Sequence, residues 1–239
     1  HGTIWASSLS GFLLKSDDFG RNWMNILPNG EELNLLNPNH HGQCVDAYGD
    51  TVWVGTFQGM NVSFDRGATW KNFSWKAGEP IDLSQPKPGN FVYAVEHKIA
   101  GGKTHVWAGG SDYFGAGRYG IYHTEDNGET WSLKTTKYNA WNFAFGHPGA
   151  SDPAVTDSTV FAASDSGLAA SYDLGNTWKI IDIRETPAIG WSRGERVAAV
   201  AVVGDTLWAT SSNGIARTTD WGKTWRIFKG VTRVSTIDQ

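Results

Sequence analysis

The apolar residues of this chain fall into short runs, each cut off by a turn rich in glycine and aspartate. One set is Ile4-Trp5-Ala6, Val52-Trp53-Val54, Val106-Trp107-Ala108, Val160-Phe161-Ala162 and Leu207-Trp208-Ala209. Four of these are preceded by a second set of small or apolar residues: Cys44-Val45-Asp46-Ala47, Val92-Tyr93-Ala94-Val95, Asn142-Phe143-Ala144-Phe145 and Val197-Ala198-Ala199-Val200. A third set starts at Gly11, Gly59, Gly120, Gly167 and Gly214, and a fourth follows a tryptophan, as in Trp178-Lys179-Ile180-Ile181. Runs this short, bounded by turn residues, predict strands rather than helices. The order of the sets predicts units of four short strands.

Between the third and fourth runs lies one octapeptide in five versions. Ser16-Asp17-Asp18-Phe19-Gly20-Arg21-Asn22-Trp23 aligns with Ser63-Phe64-Asp65-Arg66-Gly67-Ala68-Thr69-Trp70 and with Thr124-Glu125-Asp126-Asn127-Gly128-Glu129-Thr130-Trp131. Ser171-Tyr172-Asp173-Leu174-Gly175-Asn176-Thr177-Trp178 and Thr218-Thr219-Asp220-Trp221-Gly222-Lys223-Thr224-Trp225 complete the set. The aspartates Asp18, Asp65, Asp126, Asp173 and Asp220 are 47, 61, 47 and 47 residues apart. A fixed period of this size marks a repeat architecture. The residue types are those of a tight turn. Aspartate folds its carboxylate onto nearby backbone N–H groups, and glycine takes the positive-φ position. Trp23, Trp70, Trp131, Trp178 and Trp225 then open the next strand and pack over the turn. The five aspartates read as turn architecture, not as metal ligands or catalytic acids.

The octapeptide and its spacing resemble the Asp-box (BNR repeat) β-propeller superfamily, over essentially the whole chain. The resemblance implies an all-β fold: a five-bladed β-propeller of four-stranded antiparallel blades, each with an Asp-box turn, in one domain over residues 1–239. It says little about function, because the superfamily includes sialidases, xyloglucan-degrading hydrolases, sortilin-type receptors and photosystem assembly factors. The texture is also similar to propellers of secreted bacterial proteins, which implies a secreted or cell-surface location, with the periplasm as an alternative. Small residues in the second set suit the crowded inner strand of a blade. The first unit lacks that inner strand, and Arg233-Val234-Ser235-Thr236-Ile237 fits its register, so the C-terminal strand is expected to close the ring. The rival reading is a segment of a longer propeller.

Composition narrows this further. The 239 residues carry a formal net charge of −4, which argues against a nucleic-acid binder. Charged residues are 18% and hydrophobic residues 40%, which argues against disorder. No apolar run approaches the ~18 residues of a membrane span. Cys44 is the only cysteine, so no internal disulfide forms. The sequence begins at His1, read here as a processed or truncated start.

Candidate function lies in the longer connections, since loops on a rigid scaffold carry function. These are residues 28–42, 74–90 and 182–195, with an insertion at 110–119. On the propeller reading they share one face and gather Trp75, Tyr113, Phe114, Arg118, Trp191 and Arg193. Tyr138 and Trp141 join them from the next connection, and His40 and His41 from the first. Exposed aromatics with arginine suit a protein or glycan surface; the alternative is that the rings pack on one another. A sialidase would need an arginine triad, for which Arg193, Arg196 and Arg233 are the candidates, and a tyrosine nucleophile from Tyr113, Tyr119 or Tyr138. A two-carboxylate hydrolase would draw on Glu31, Glu32, Asp82, Asp112, Glu185 and Glu195. Adjacent His40 and His41 face opposite ways on an extended chain and make a poor metal pair. No metal or other cofactor is expected. The reading is a non-catalytic extracellular interaction module. The alternatives are a sialidase-like glycoside hydrolase and a structural subunit of an extracellular assembly.

Overall fold

The structure is a computed structural model that describes residues 2–34, 37–74, 84–111, 119–146, 157–186, 189–192, 194–220 and 222–230. Its contacts group into two compact units, His1–His97 with Thr104–Leu133, and Lys98–Lys103 with Lys134–Gln239.

The first unit opens with β1 (Ile4–Ser8), β2 (Phe12–Ser16) and β3 (Met24–Ile26), a three-stranded antiparallel sheet. Next come β4 (Gly42–Tyr48), β5 (Thr51–Thr56), β6 (Gly59–Ser63) and β7 (Lys71–Phe73), then β8 (Phe91–Ala100), β9 (Lys103–Ser111), β10 (Tyr119–Thr124) and β11 (Ser132–Thr135). Each set forms one four-stranded sheet in chain order. The second unit repeats the plan with β12 (Ala140–Phe145), β13 (Val160–Ser164), β14 (Gly167–Ser171) and β15 (Lys179–Ile181). It then adds a small hairpin, β16 (Arg184–Thr186) with β17 (Ile189–Gly190), and ends with β18 (Val197–Val203), β19 (Thr206–Ser211), β20 (Gly214–Thr218) and β21 (Arg226–Phe228). The described fold is all-β, with little helix beyond 3₁₀ turns at Pro28–Gly30 and Pro38–His40.

The strands are those the apolar runs predict, including the three-stranded start. The segment expected to complete that first sheet, 233–237, lies outside the described residues. The hairpin β16–β17 is the addition: residues 182–195, read from sequence as a plain loop, fold part of themselves into a sixth, two-stranded sheet.

Within each unit neighbouring sheets stack face to face, and their middle strands are buried. All five residues of β6, β13 and β14 are buried. That is why these runs are apolar or small throughout rather than alternating. Between the first two sheets lie Phe12, Leu13, Val52, Val54 and Trp70; between the next two lie Trp53, Met60, Phe73, Val92, Val106 and Trp131. Phe161, Leu168, Val197, Leu207 and Trp225 fill the core of the second unit. Close approach explains a glycine in β5: a Cβ on Gly55 would stand 2.7 Å from the Val92 carbonyl oxygen.

The five repeat turns share one hydrogen-bond plan. In the second copy the Ser63 hydroxyl donates to Asp65 Oδ1 at 2.7 Å and accepts the N–H groups of Asp65 and Gly67 at 3.3 and 2.8 Å. Asp65 in turn accepts the backbone N–H of Thr69 at 2.8 Å and its hydroxyl at 2.6 Å. Asp18, Asp126, Asp173 and Asp220 make the matching contacts, with Asn22 replacing the threonine in the first copy. Two successive residues sit at positive φ, Arg66 at 58° and Gly67 at 88° in the second turn. The glycine was expected there. The strained residue before it, also Phe19, Asn127 and Leu174 in other copies, has no signature in the sequence. The indoles of Trp23, Trp70 and Trp178 donate back to the turn glycine carbonyl at 2.9–3.1 Å, while Trp131 and Trp225 are buried with no partner for the indole N–H among the described residues.

These contacts hold the turn carboxyls below the usual aspartate range. Asp65 falls to about 2, chiefly through the Thr69 hydroxyl and then its N–H. In Asp18 the Asn22 backbone N–H contributes most, and in Asp220 the Thr224 hydroxyl. Burial pushes Asp126 and Asp173 upward, but the hydrogen bonds from Thr130 and Thr177 outweigh it. A carboxyl with a depressed native pKa stabilises the fold above its unfolded value and loses that contribution on acidification. Thermal stability should therefore fall as pH drops from ~4 toward 2, measured by melting across a pH series. Asp173→Ala, which leaves the Thr177 N–H and the Ser171 hydroxyl without their acceptor, should cost about 1–2 kcal/mol in denaturant unfolding.

Candidate functional site

The connection 28–42 is built from local hydrogen bonds. Asn37 caps the turn Pro38–His40 by accepting the Asn39 N–H at 3.0 Å. His40 is buried inside the loop: its Nδ1 accepts the Asn34 N–H at 3.0 Å, which leaves the proton on Nε2 to face Glu31 Oε2 at 2.8 Å. A His–carboxylate pair so held organises the loop. His41 points the other way, with Nδ1 2.5 Å from the Leu9 carbonyl oxygen.

Beside it the loop docks on the second sheet through amides. Asn39 Oδ1 accepts from Thr56 Oγ1 at 3.0 Å, Asn61 Nδ2 at 2.9 Å and Asn72 Nδ2 at 3.3 Å. Asn72 also donates to Asn61 Oδ1 at 2.9 Å. Asn61 is fully buried in β6, where the strand pattern would place an apolar side chain.

The network supports a row of rings. His41 stacks on Phe57 with centroids 5.3 Å apart and planes 16° apart, and Phe57 stacks on Phe91 at 4.3 Å and 19°. Tyr93 continues the row, tilted against Phe91 at 5.6 Å. All four are half-buried. Phe57 comes from the β5–β6 turn, Phe91 and Tyr93 from the start of β8, and His41 from the long connection. Phe57 thus stacks on two rings, which takes up part of its aromatic face.

The second unit holds a cleft of about 270 Å³ between β14, β15 and the segment carrying β16–β17. Leu168, Ile180 and Trp191 supply apolar walls; Asp182, Arg184 and Glu195 supply charge. The charges are engaged: Arg184 Nε meets Asp182 Oδ2 at 2.6 Å, and Glu195 Oε2 accepts from Asn213 Nδ2 at 2.6 Å. Glu195 Oε1 is shielded from solvent and accepts no hydrogen bond among the described residues.

The residues expected from sequence to form one surface are described only in part. Trp191 is buried in the core of the second unit. Tyr138 is buried edge-on against Trp178, 6.4 Å between centroids. Trp141, half-buried, lies under the Arg196 guanidinium at 4.3 Å. Of the described ones, His41 joins the ring row, and His40 stands behind it as support. Trp75, Tyr113, Phe114, Arg118 and Arg193 lie outside the described residues, as do Asp82, Asp112 and Arg233. Glu185 accepts the Ile227 N–H at 3.2 Å. Phe57, Phe91 and Tyr93 carry no motif; only their places, one in a tight turn and two at a strand start, could have flagged them.

Two histidine pairs were also unmarked in the sequence. His97 Nδ1 meets Asp46 Oδ2 at 2.6 Å while its ring stacks on Tyr48 at 4.1 Å. His105 and His123 are buried and share a 2.9 Å hydrogen bond. Burial pushes the Cys44 thiol upward, so it stays protonated. Among the described residues no cluster of three or more His, Cys, Asp or Glu could hold a metal ion. No described helix is long and apolar enough to cross a membrane.

No protein-family profile and no curated protein sequence matches the chain. Solved structures do. An ancestral GH74 enzyme aligns over 95% of this chain and 29% of its own, at 18% identity and a TM-score of 0.63. YCF48 from Cyanidioschyzon merolae aligns over 98% of this chain and 71% of its own, at 19% identity and a TM-score of 0.57. The extracellular domain of the one-component system BT4673 from B. thetaiotaomicron aligns over 99% and 35%, at 11% identity and a TM-score of 0.53. The chain thus spans about a third or less of the first and third of these. At such identities the likeness concerns fold, and the fold is that of a β-propeller.

The amide network yields a direct test. Asn61→Ala removes a buried partner from both Asn39 and Asn72 and should cost about 1–3 kcal/mol in denaturant unfolding. Asn72→Ala, at the exposed end of the same network, should cost clearly less. Equal losses would mean the network does not anchor the loop.

Proposed function

We propose that the chain is an Asp-box β-propeller acting as a non-catalytic interaction module outside the cell, and that its partner is a protein. The ring row His41–Phe57–Phe91–Tyr93 carries this reading. Half-buried aromatics fixed by a hydrogen-bonded loop lose little freedom on binding, which is what an interface anchor requires. Stacking of Phe57 on His41 and on Phe91 takes up aromatic face that would otherwise be open. Apolar and aromatic side chains pack well against edges, whereas a sugar ring seeks a free aromatic face. The propeller fold and the extracellular domain among the similar structures support the setting.

A hydrolase reading has one observation behind it: Asp182 and Glu195 line the same cleft. Both are held by neighbours, Asp182 by Arg184 and Glu195 by Asn213. An acid–base pair needs carboxyls facing a substrate across open space.

The test pairs binding with turnover. A library of displayed extracellular peptides and a glycan array should give peptide hits whose Kd rises at least about tenfold, or ~1.4 kcal/mol, in Phe57→Ala and Phe91→Ala. Melting of those variants should show that the fold survives. Array hits confined to glycans would replace the protein partner with a sugar. Release of chromophore from aryl glycosides, abolished by Glu195→Gln, would overturn the module in favour of the hydrolase.

A further inference from the structure

His40 ties down the connection 28–42 with both ring nitrogens, and it can do so in one protonation state. The ring is 1% exposed. Nδ1 lies 3.0 Å from the Asn34 backbone nitrogen, and a backbone N–H can only donate, so Nδ1 is the acceptor. The single ring proton is then on Nε2 and meets Glu31 Oε2 at 2.8 Å. Asn37 Nδ2 shares that oxygen at 3.4 Å and stands 3.2 Å from Nε2. His41 is the next residue, and its ring closes the row against Phe57.

A second proton undoes this arrangement. Both nitrogens of an imidazolium are donors. Nδ1–H then faces the Asn34 N–H, and two donors stand where a hydrogen bond was. Because the ring is buried, the unmet donors carry their desolvation cost. One charge works in the opposite sense. Glu31 favours the imidazolium, but its side chain is 47% exposed, so water screens the attraction. The strand under the turn, β5, reads Thr51-Val52-Trp53-Val54-Gly55-Thr56 and brings no charge, and Asn61 and Asn72 meet the loop as neutral amides. His41 turns away, to the Leu9 carbonyl.

We infer that His40 is a pH-sensitive latch on the ring row: its protonation at mildly acidic pH frees the Asn34 end of the connection and lets His41 leave Phe57. Histidine is the side chain whose charge changes in this range. The consequence, weaker partner binding on acidification, rests on the ring row being the binding surface. The latch itself is measured on the free protein.

Amide hydrogen exchange of the 239-residue chain, corrected for intrinsic rates, tests it. It is read at about pH 7.5 and 5.5, on either side of the ordinary histidine value of ~6.5. Protection of the Asn34 amide should fall about tenfold between them, the ratio expected when only the open loop takes the proton. The His41 amide, which donates to the Pro38 carbonyl at 3.3 Å, should follow, and Val54 in β5 should not change. His40→Asn keeps an acceptor for the Asn34 N–H but does not titrate, so its protection should be the same at both pH values. His41→Asn should keep the parent's response at Asn34. If His40→Asn leaves the loop unprotected throughout, Glu31→Gln decides: without the charge that rewards protonation, the loss on acidification should be equal or larger. Parent protection that is unchanged or rises on acidification overturns the inference. So does a response that survives in His40→Asn, vanishes in His41→Asn or shrinks in Glu31→Gln. Failure here leaves the ring row standing as a binding surface, and failure to find a peptide partner leaves the exchange result standing.

Discussion

The structure depends on one short-range constraint: a carboxylate and a hydroxyl, two residues apart, that satisfy the backbone donors of a tight turn. Without them the turn would hold two residues at positive φ against solvent competition, at a cost no neighbour repays. With them, the end of the third strand and the start of the fourth are fixed relative to each other. The tryptophan that follows is then aimed sideways, out of its own sheet. Trp70, Trp131 and Trp225 are in this way buried against the neighbouring sheet of their own unit. A local hydrogen-bond motif thus sets the spacing of the long-range packing.

This ordering explains what could be read from sequence. A turn that needs particular residues at particular offsets leaves a pattern, and five copies of it give the period, the four-strand plan and the short first sheet. The apolar runs mark the middle strands because burial on both faces removes alternation. The hairpin β16–β17 left no such trace: Arg184-Glu185-Thr186 is wholly polar and exposed. Its pairing is set by contacts with neighbours, including the Trp191 N–H on the Ile183 carbonyl at 2.9 Å.

The candidate site was less legible, for a related reason. Aromatics in long loops look available because loops lie on surfaces, yet large rings are often buried for their area alone. Trp191 and Tyr138 went inward on that account. The rings that do form a row come from positions 41, 57, 91 and 93, brought together by sheet stacking rather than by sequence spacing. Asn61 was equally hidden. A single polar residue in an apolar strand looks like noise until Asn39 arrives from a distant loop to meet it.

The same reasoning separates scaffold from function. In every repeat turn the aspartate spends its acceptors on its own hydroxyl and backbone neighbours, so it has little left to offer a ligand. Whatever this chain recognises must therefore be read by residues that differ between repeats. Two places differ: the loop held by Asn39 and His40, and the cleft beside β16–β17. The first carries rings, and the second carries an Asp182–Arg184 ion pair and a Glu195 carboxylate held by Asn213. Paired charges give up existing partners when a ligand binds, whereas exposed rings gain contacts and lose only water. Physical cost thus points to the aromatic surfaces before the charged cleft, and to recognition of apolar partners before polar substrates.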